Sequence, residues 1–160
     1  MIFDLPTFTL IHVVLSVLGI VSGLVVVGGL VAGARLDGWT ALFLATTILT
    51  SATGYGFPSS KVTPAQIVGG LSLAILAVCV AARYWKQLAG GWRTTYVVSA
   101  VAGLYFNVFV LVAQLFAKTP ALVQLAPKQQ EPPFAVTQAL VLALFVWLGW
   151  TALRGFRAKV

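Results

Sequence analysis

Residues 7–33 read TFTLIHVVLSVLGIVSGLVVVGGLVAG and contain no charged side chain. A helix of about 20 consecutive apolar residues crosses the hydrocarbon core of a bilayer, so this stretch predicts a transmembrane helix. Four more apolar stretches follow, separated by short segments of Gly, Pro, Ser and charged residues, at about residues 40–57, 65–85, 92–117 and 134–153. The sequence therefore predicts an all-α fold, an integral membrane bundle of five transmembrane helices that forms a single transmembrane domain over residues 1–160.

The composition supports a multi-pass protein of the inner (plasma) membrane. Hydrophobic residues make up 60% of the chain, charged residues 8%, and the mean hydropathy is +1.01. A soluble domain could not bury this much apolar surface, so the expected surroundings are the lipid bilayer. The net charge of +7 comes from Lys and Arg at the ends of the apolar stretches. These residues form no basic stripe, and we expect no nucleic-acid partner.

The distribution of Lys and Arg predicts the orientation of the bundle. With the N-terminus outside, seven of these residues lie on the inner side: Arg35, Arg83, Lys86, Arg93, Arg154, Arg157 and Lys159. Three lie on the outer side: Lys61, Lys118 and Lys128. Because inner loops carry the excess of positive charge, this count favours an outer N-terminus and an inner C-terminus.

The longest connection, residues 118–133, would then lie outside. It contains four prolines, Pro120, Pro127, Pro132 and Pro133. Prolines stiffen a connection whether or not it packs on other elements, so either an ordered cap over the helix ends or a plain linker is consistent with the sequence.

Glycines at helical spacing indicate where helices approach each other closely. In lipid, helix association depends on packing, and small residues allow two backbones to come together. The candidate packing residues are Gly19, Gly23, Gly29, Gly33, Gly70 and Gly103. They predict packing within the monomer, and a homodimer seam is the alternative.

Polar side chains within the apolar stretches are neutral and lie mostly toward the predicted outer side. On the fourth helix, Ser99, Gly103, Asn107 and Gln114 share one face, which should look inward. Such groups either bond to neighbouring helices or orient a ligand in an apolar pocket. The candidate ligand-binding residues are His12, Thr53, Tyr55, Gln66, Asn107, Gln114 and Gln138.

Enzymatic chemistry is not favoured. His12 is the only histidine, Cys79 is the only cysteine, and the three acids Asp4, Asp37 and Glu131 lie in the tail or the connections. Acid–base catalysis and metal binding both need several such groups within reach of one another. We therefore predict no catalytic residue, no metal site and no cofactor.

The string Gly54-Tyr55-Gly56 resembles the selectivity filter of potassium channels, which would require a short re-entrant second helix. Aligned with that filter, the chain has Ala52 in place of a coordinating threonine and Phe57 in place of the usual acid. The apolar run from residue 40 is also long enough to cross the membrane. We therefore interpret the string as the end of a helix.

The string Thr50-Ser51-Ala52-Thr53-Gly54-Tyr55-Gly56-Phe57-Pro58, together with Glu131-Pro132-Pro133-Phe134, resembles a group of small, uncharacterised integral membrane proteins of the bacterial inner membrane. That resemblance implies no activity. In size and helix count the chain is also similar to the TspO tetrapyrrole-binding and sterol-binding proteins. It lacks that family's tryptophan- and proline-rich motifs, and similar topology does not establish function.

Two functions remain open. One is the binding or transport of a small apolar or amphipathic molecule, or a lipid, in a pocket that opens to the outer side. The other is a non-catalytic accessory or scaffold role in a larger membrane complex, in which the small-residue faces and exposed aromatic residues contact partners.

Overall fold

A computed structural model describes residues 4–157, and this part of the chain is helical, without a strand. Its six α-helices are α1 (Leu5–Val31), α2 (Asp37–Thr53), α3 (Pro64–Val80), α4 (Trp92–Lys118), α5 (Pro120–Leu125) and α6 (Pro132–Gly155). Among the described residues, four helices are long and apolar enough to cross a membrane: α1, α3 with the turn that extends it to Trp85, α4 and α6. These are the features of a multi-pass membrane protein.

Each predicted apolar stretch corresponds to a helix, but three predicted starts are two or three residues too late. Asp4 accepts a hydrogen bond from the Thr7 N–H and caps α1, Asp37 begins α2, and Pro132 begins α6. Acids and prolines are favoured in the first turn of a helix because the N–H groups there have no intrahelical partner. Lys159, which contributed to the charge count above, lies outside the described residues.

Helices α1 and α2 form an antiparallel hairpin. His12 faces Thr53 at one end, and a Cβ added at Gly23 would meet the Phe43 ring near the middle. The hairpin runs the full length of α2.

Helix α2 ends where the Gly-Tyr-Gly string begins, because Gly54–Gly56 forms a single 3₁₀ turn after Thr53. This confirms the interpretation of the string as a helix stop. Asp37, at the start of α2, bonds to Arg83, whereas Thr53, at its end, bonds to His12. Helix α2 therefore runs from one end of the bundle to the other.

Helices α1 to α4 form a ring, and α6 packs on its outside along α4. Tyr105 of α4 contacts Phe145 of α6 with ring centroids 5.6 Å apart, and the Gln138 amide donates to the Phe109 carbonyl.

The bundle has two ends, the Arg83 end and the His12 end. The Arg83 end contains Val31, Asp37, Arg83, Tyr96 and Gly155, and the His12 end contains His12, Thr53, Gln66 and Lys118.

The core lies between the middle of the ring and the Arg83 end. Val26 of α1, Phe43 of α2, Leu76 of α3, and Tyr96 and Leu104 of α4 are buried there. Because all four helices contribute to this cluster, it holds them at fixed distances.

The predicted packing glycines all lie against another part of the chain. A Cβ at Gly19 would come within 3.0 Å of the Thr47 and Asn107 side chains, and one at Gly103 would meet Leu76 at 2.8 Å. The remaining close neighbours are Leu104 and Phe43 for Gly23, Leu36 for Gly29, Gly155 for Gly33, and Tyr55 for Gly70. The Gly19 and Gly23 face is thus occupied within the monomer and is not open to a second copy.

The connection between α4 and α6 is an ordered cap, which decides between the two alternatives for residues 118–133. It contains the unpredicted helix α5, Ala126 is buried, and the Gln129 amide donates to the Ala113 carbonyl at 2.7 Å. Phe116 and Phe134 pack edge to face across its base. The cap joins α4 and α6 at the His12 end of the bundle.

Candidate functional site

A cavity of about 460 Å³ lies inside the helix ring at the His12 end. Its walls come from α1, α3 and α4 and from the end of α2. Most of the wall is apolar, with contributions from Val13, Val17, Ile20, Phe106 and Val110. The volume falls within the range of about 300–1,000 Å³ that is typical of small-molecule sites.

The cavity extends from the helix ends to the middle of the bundle. Thr9 and Ile20 mark its extent along α1, and Asn107 and Lys118 mark it along α4. Each pair is eleven residues apart, which corresponds to about 16 Å at 1.5 Å per helical residue. This depth is roughly half of a hydrocarbon core that is about 30 Å thick.

One face of α4 lines the cavity with polar groups at three depths. Asn107 lies at the floor, Gln114 two turns higher and Lys118 at the mouth. Within residues 4–157, none of the three side chains makes a hydrogen bond or an ion pair. Asn107 is only 9% exposed, and its amide nitrogen is buried without a partner. The prediction that this face of α4 looks inward is confirmed for Ser99, Gly103 and Asn107, and Gln114 continues it along the cavity wall.

His12 enters the cavity in a defined tautomer. Its Nδ1 lies 2.8 Å from the Thr53 hydroxyl oxygen. That hydroxyl has one proton and is already within 2.7 Å of the Leu49 carbonyl, to which it donates. Nδ1 is therefore the donor to Thr53, which leaves Nε2 of the neutral ring as an acceptor. Phe57 packs edge to face on the other side of the ring and fixes its orientation.

The structure brings four of the seven predicted ligand-binding residues to the cavity wall: His12, Gln66, Asn107 and Gln114. The Gln66 side chain already has hydrogen-bond partners. It accepts from the Thr63 N–H in the capping box that starts α3, and it donates to the Ser59 hydroxyl. It is therefore less free than Asn107 or Gln114 to bind a ligand.

The other three predicted residues lie outside the wall and have structural partners. Thr53 orients His12 from behind. The Tyr55 hydroxyl donates to the Gln66 carbonyl at 2.6 Å and ties the end of α2 to α3. Gln138 joins α6 to α4 through the Phe109 carbonyl. All three were singled out because they are polar and near the outer side, and that criterion does not distinguish a lining residue from one that supports it.

Sequence reasoning missed Lys118 as a site residue, and also the hydroxyl groups of Ser16, Thr50, Ser51 and Ser72 in the wall. The helical spacing that grouped Asn107 with Gln114 continues to Lys118, four residues further on, so this signal was present in the sequence. The hydroxyl groups carried no comparable signal because most of them bond to neighbouring side chains or to carbonyls of their own helix.

A second polar cluster closes the Arg83 end, and it was also missed. Arg83 is 2% exposed, although the charge count treated it only as an inner cation. A π-helical turn, Ala81–Trp85, extends α3 and contains this residue. Its guanidinium bonds to Asp37 and lies 5.1 Å from the centre of the Tyr96 ring. The Asp37 carboxylate also binds Arg35 at 2.8 Å, so this cluster ties α2, α3 and α4 together.

The lining residues of the cavity can hold a ligand by burial and by hydrogen bonds. In the described part of the chain, no three His, Cys, Asp or Glu side chains are grouped closely enough to hold a metal ion. His12 has no carboxylate partner there, and its Nδ1 is occupied by Thr53. The arrangement suits binding by shape and polarity.

Comparison with known proteins adds no family to this description: no family model, curated protein or solved structure matches the chain.

Proposed function

We propose that this protein binds a small apolar or amphipathic molecule, or the chain of a lipid, in the cavity at the His12 end. The observation that carries the proposal is a largely apolar cavity of about 460 Å³ with the Asn107 side chain at its floor. His12 and Gln114 offer further hydrogen-bonding groups above it.

The proposal includes five membrane crossings, with α2 as the fifth. Helix α2 has 17 residues, and the 3₁₀ turn extends it to Gly56. Helix α1 ends near the Arg83 end and α3 begins near the His12 end, so the chain must cross between them. If α1 and α3 span the bilayer, α2 spans it too.

We place the His12 end on the outer side of the bacterial inner membrane. The Arg83 end carries six of the described Lys and Arg residues: Arg35, Arg83, Lys86, Arg93, Arg154 and Arg157. The His12 end carries Lys61, Lys118 and Lys128. The positive-inside rule favours the Arg83 end as the inner one.

Binding is favoured over free passage across the membrane. The cavity ends at Asn107, and beyond it Phe43, Leu76 and Leu104 fill the ring without exposed surface. Interiors of this density do not admit a solute unless the helices move apart. The cavity is therefore closed toward the Arg83 end, and transport would require a second arrangement of the ring.

The test is to identify what copurifies with the protein. Wild-type protein extracted in a mild detergent and then denatured should release a small molecule, identified by mass spectrometry, in constant ratio to protein. Val110→Trp fills the cavity wall and should abolish this ratio. Val98→Trp adds the same side chain to an exposed position of α4 and serves as the matched control.

Equal amounts of released molecule from the wild type, Val110→Trp and Val98→Trp would overturn the proposal, because the molecule would then belong to the lipid-facing surface. Release of nothing from the wild type, with a stoichiometric protein partner in the same preparation, would favour the accessory role instead.

A further inference from the structure

The charge of the cavity mouth carries the proposed function one step further. Among the described residues that line the cavity, Lys118 is the one cation when His12 is neutral, and none of these residues is Asp or Glu. A cation at the mouth of an apolar cavity without a neighbouring carboxylate attracts an anionic group and disfavours a cationic one.

The acids near this end do not neutralise Lys118. Glu131 lies in the cap, where its carboxylate accepts hydrogen bonds from the Lys128 and Gln130 backbone N–H groups. Asp4 caps α1 through the Thr7 N–H. Neither residue lines the cavity, and neither makes an ion pair with Lys118. The ammonium group therefore remains available at the mouth.

The arrangement on α4 also fixes the direction of a bound amphiphile. The Gln114 amide lies one helical turn below Lys118 and adds a neutral donor to the cation. Below it, Phe106, Val110 and Leu111 provide an apolar wall down to the Asn107 amide. This arrangement favours a head group at the mouth, next to Lys118 and Gln114, and an apolar chain between the mouth and Asn107.

We infer that the ligand is a single small amphiphile with an anionic head group, a carboxylate or a phosphate monoester, held at Lys118 and Gln114 with its chain directed toward Asn107. This inference rests on the proposed function and names its ligand class. The volume of about 460 Å³ suits one such molecule.

The experiment varies the head group of the ligand and keeps its alkyl chain the same. Purified protein in a nonionic detergent is titrated with dodecanoate, dodecyl phosphate, dodecanol and dodecyltrimethylammonium, and bound ligand is counted by native mass spectrometry. Wild-type protein should bind both anions about tenfold more tightly than the alcohol, and the cation more weakly still. The stronger of the two anions distinguishes a fatty-acid source from a phospholipid-derived one.

Two lysine variants test whether Lys118 causes the preference for anionic head groups. Lys118→Gln should reduce the ratio of anion to alcohol affinity to about one, mainly by weakening the binding of the two anions. Lys61→Gln removes an exposed charge from the same end of the bundle but outside the cavity wall, and should keep the wild-type ratio. A Lys118→Gln variant that kept the full preference would overturn the assignment of the head group to this residue.

The remaining outcomes separate the two proposals. Binding of all four compounds with equal affinity, or a preference for the cation, would overturn the anionic head group but leave a cavity that binds amphiphiles. Binding that was absent from the wild type, or unchanged in Val110→Trp, would overturn both the head-group assignment and the proposed function.

Discussion

The two halves of the helix ring are built from the same four helices, yet one half is filled and the other is open. Toward the Arg83 end, Phe43, Leu76 and Leu104 are fully buried in contact across the ring. Toward the His12 end, a cavity of about 460 Å³ separates α1 from α3 and α4. On α1, Gly19 and Gly23 lie against side chains of α2 and α4 in the filled half, whereas Val13, Ser16 and Val17 line the cavity in the open half.

This contrast concerns how closely the helices approach each other. Because lipid exerts no hydrophobic pressure to close gaps between helices, close approach depends on the size of the facing side chains, and Gly19 and Gly23 allow it in the filled half. At the His12 end, Val13 and Val17 of α1 line the space in which we propose that a ligand binds.

The largest effect is expected where backbones touch in the filled half. A Cβ at Gly155 would fall within contact distance of the Val31 backbone, which cannot move aside as a side chain can. Gly155→Ala should lower the free energy of unfolding by about 3 kcal/mol. Gly149→Ala on the same helix meets only Val101 at 3.6 Å and should be neutral or slightly stabilising. Unfolding in mixed detergent micelles measures both variants, and equal losses would contradict the tight contact.

A pair of leucines on one face of α4 compares the halves directly. Leu104 is fully buried in the filled half, whereas Leu111 lines the cavity and is 40% exposed. Leu104→Ala should reduce the stability by about 2 kcal/mol because it creates a new void. Leu111→Ala only enlarges an existing space and should lose less than about 0.5 kcal/mol. The same unfolding assay tests this pair, and similar losses would mean that the cavity is closed in the membrane.

In the Arg83 cluster, the loss of Asp37 should cost more stability when Arg83 is present than when Arg83 has been replaced. Asp37→Ala leaves the buried guanidinium of Arg83 with only its aromatic contacts, and should destabilise by about 1–2 kcal/mol because Asp37 itself is exposed. Arg83→Met removes the buried charge, and in this background Asp37→Ala should lose only the exposed Arg35 pair and the first-turn charge of α2, less than about 1 kcal/mol. The double-mutant cycle measures this coupling, and simple additivity would show that the ion pair does not stabilise the closed end.

The smallest effect concerns a single proton at the open end. Thr53→Val removes the hydroxyl that accepts from His12 Nδ1, with a loss of about 0.5–1 kcal/mol in stability. Because His12 is the only histidine, nitrogen NMR of histidine-labelled protein reports on this ring alone. The wild type should show the Nδ1–H tautomer, and Thr53→Val should show a mixture of both. A wild-type spectrum dominated by the Nε2–H tautomer would contradict the hydrogen bond.

The sequence was sufficient for the helices and for most of the packing because these depend on length, composition and local spacing. The five apolar stretches and the six packing glycines illustrate this. Helix α5 was missed because Pro120 and the polar residues of its neighbourhood indicate a connection equally well. The burial of Arg83 was missed because a charge next to a helix end usually faces water, and the π-helical turn that contains it left no mark in the hydropathy pattern.

The candidate site was predicted less completely. The spacing of Asn107 and Gln114, and the fact that His12 is the only histidine, directed attention to three residues that lie in the cavity wall. The positions of Thr53, Tyr55 and Gln138 outside the wall could not be derived from the sequence, because they depend on hydrogen bonds to partners elsewhere in the fold, at His12, Gln66 and Phe109. Polarity and depth identify the region of a membrane site, but only the positions of neighbouring helices show which groups remain unbonded.

The α1–α2 hairpin has a consequence for the order in which the protein is built. Its cross-helix pairs extend to His12 and Thr53, which are 41 residues apart in the chain. Because segments made first during synthesis can associate first, the hairpin can form before α3 and α4 enter the membrane. The cavity wall is complete only when synthesis has passed Lys118. A ligand can then enter during assembly and fill the space that α3 and α4 enclose against the hairpin.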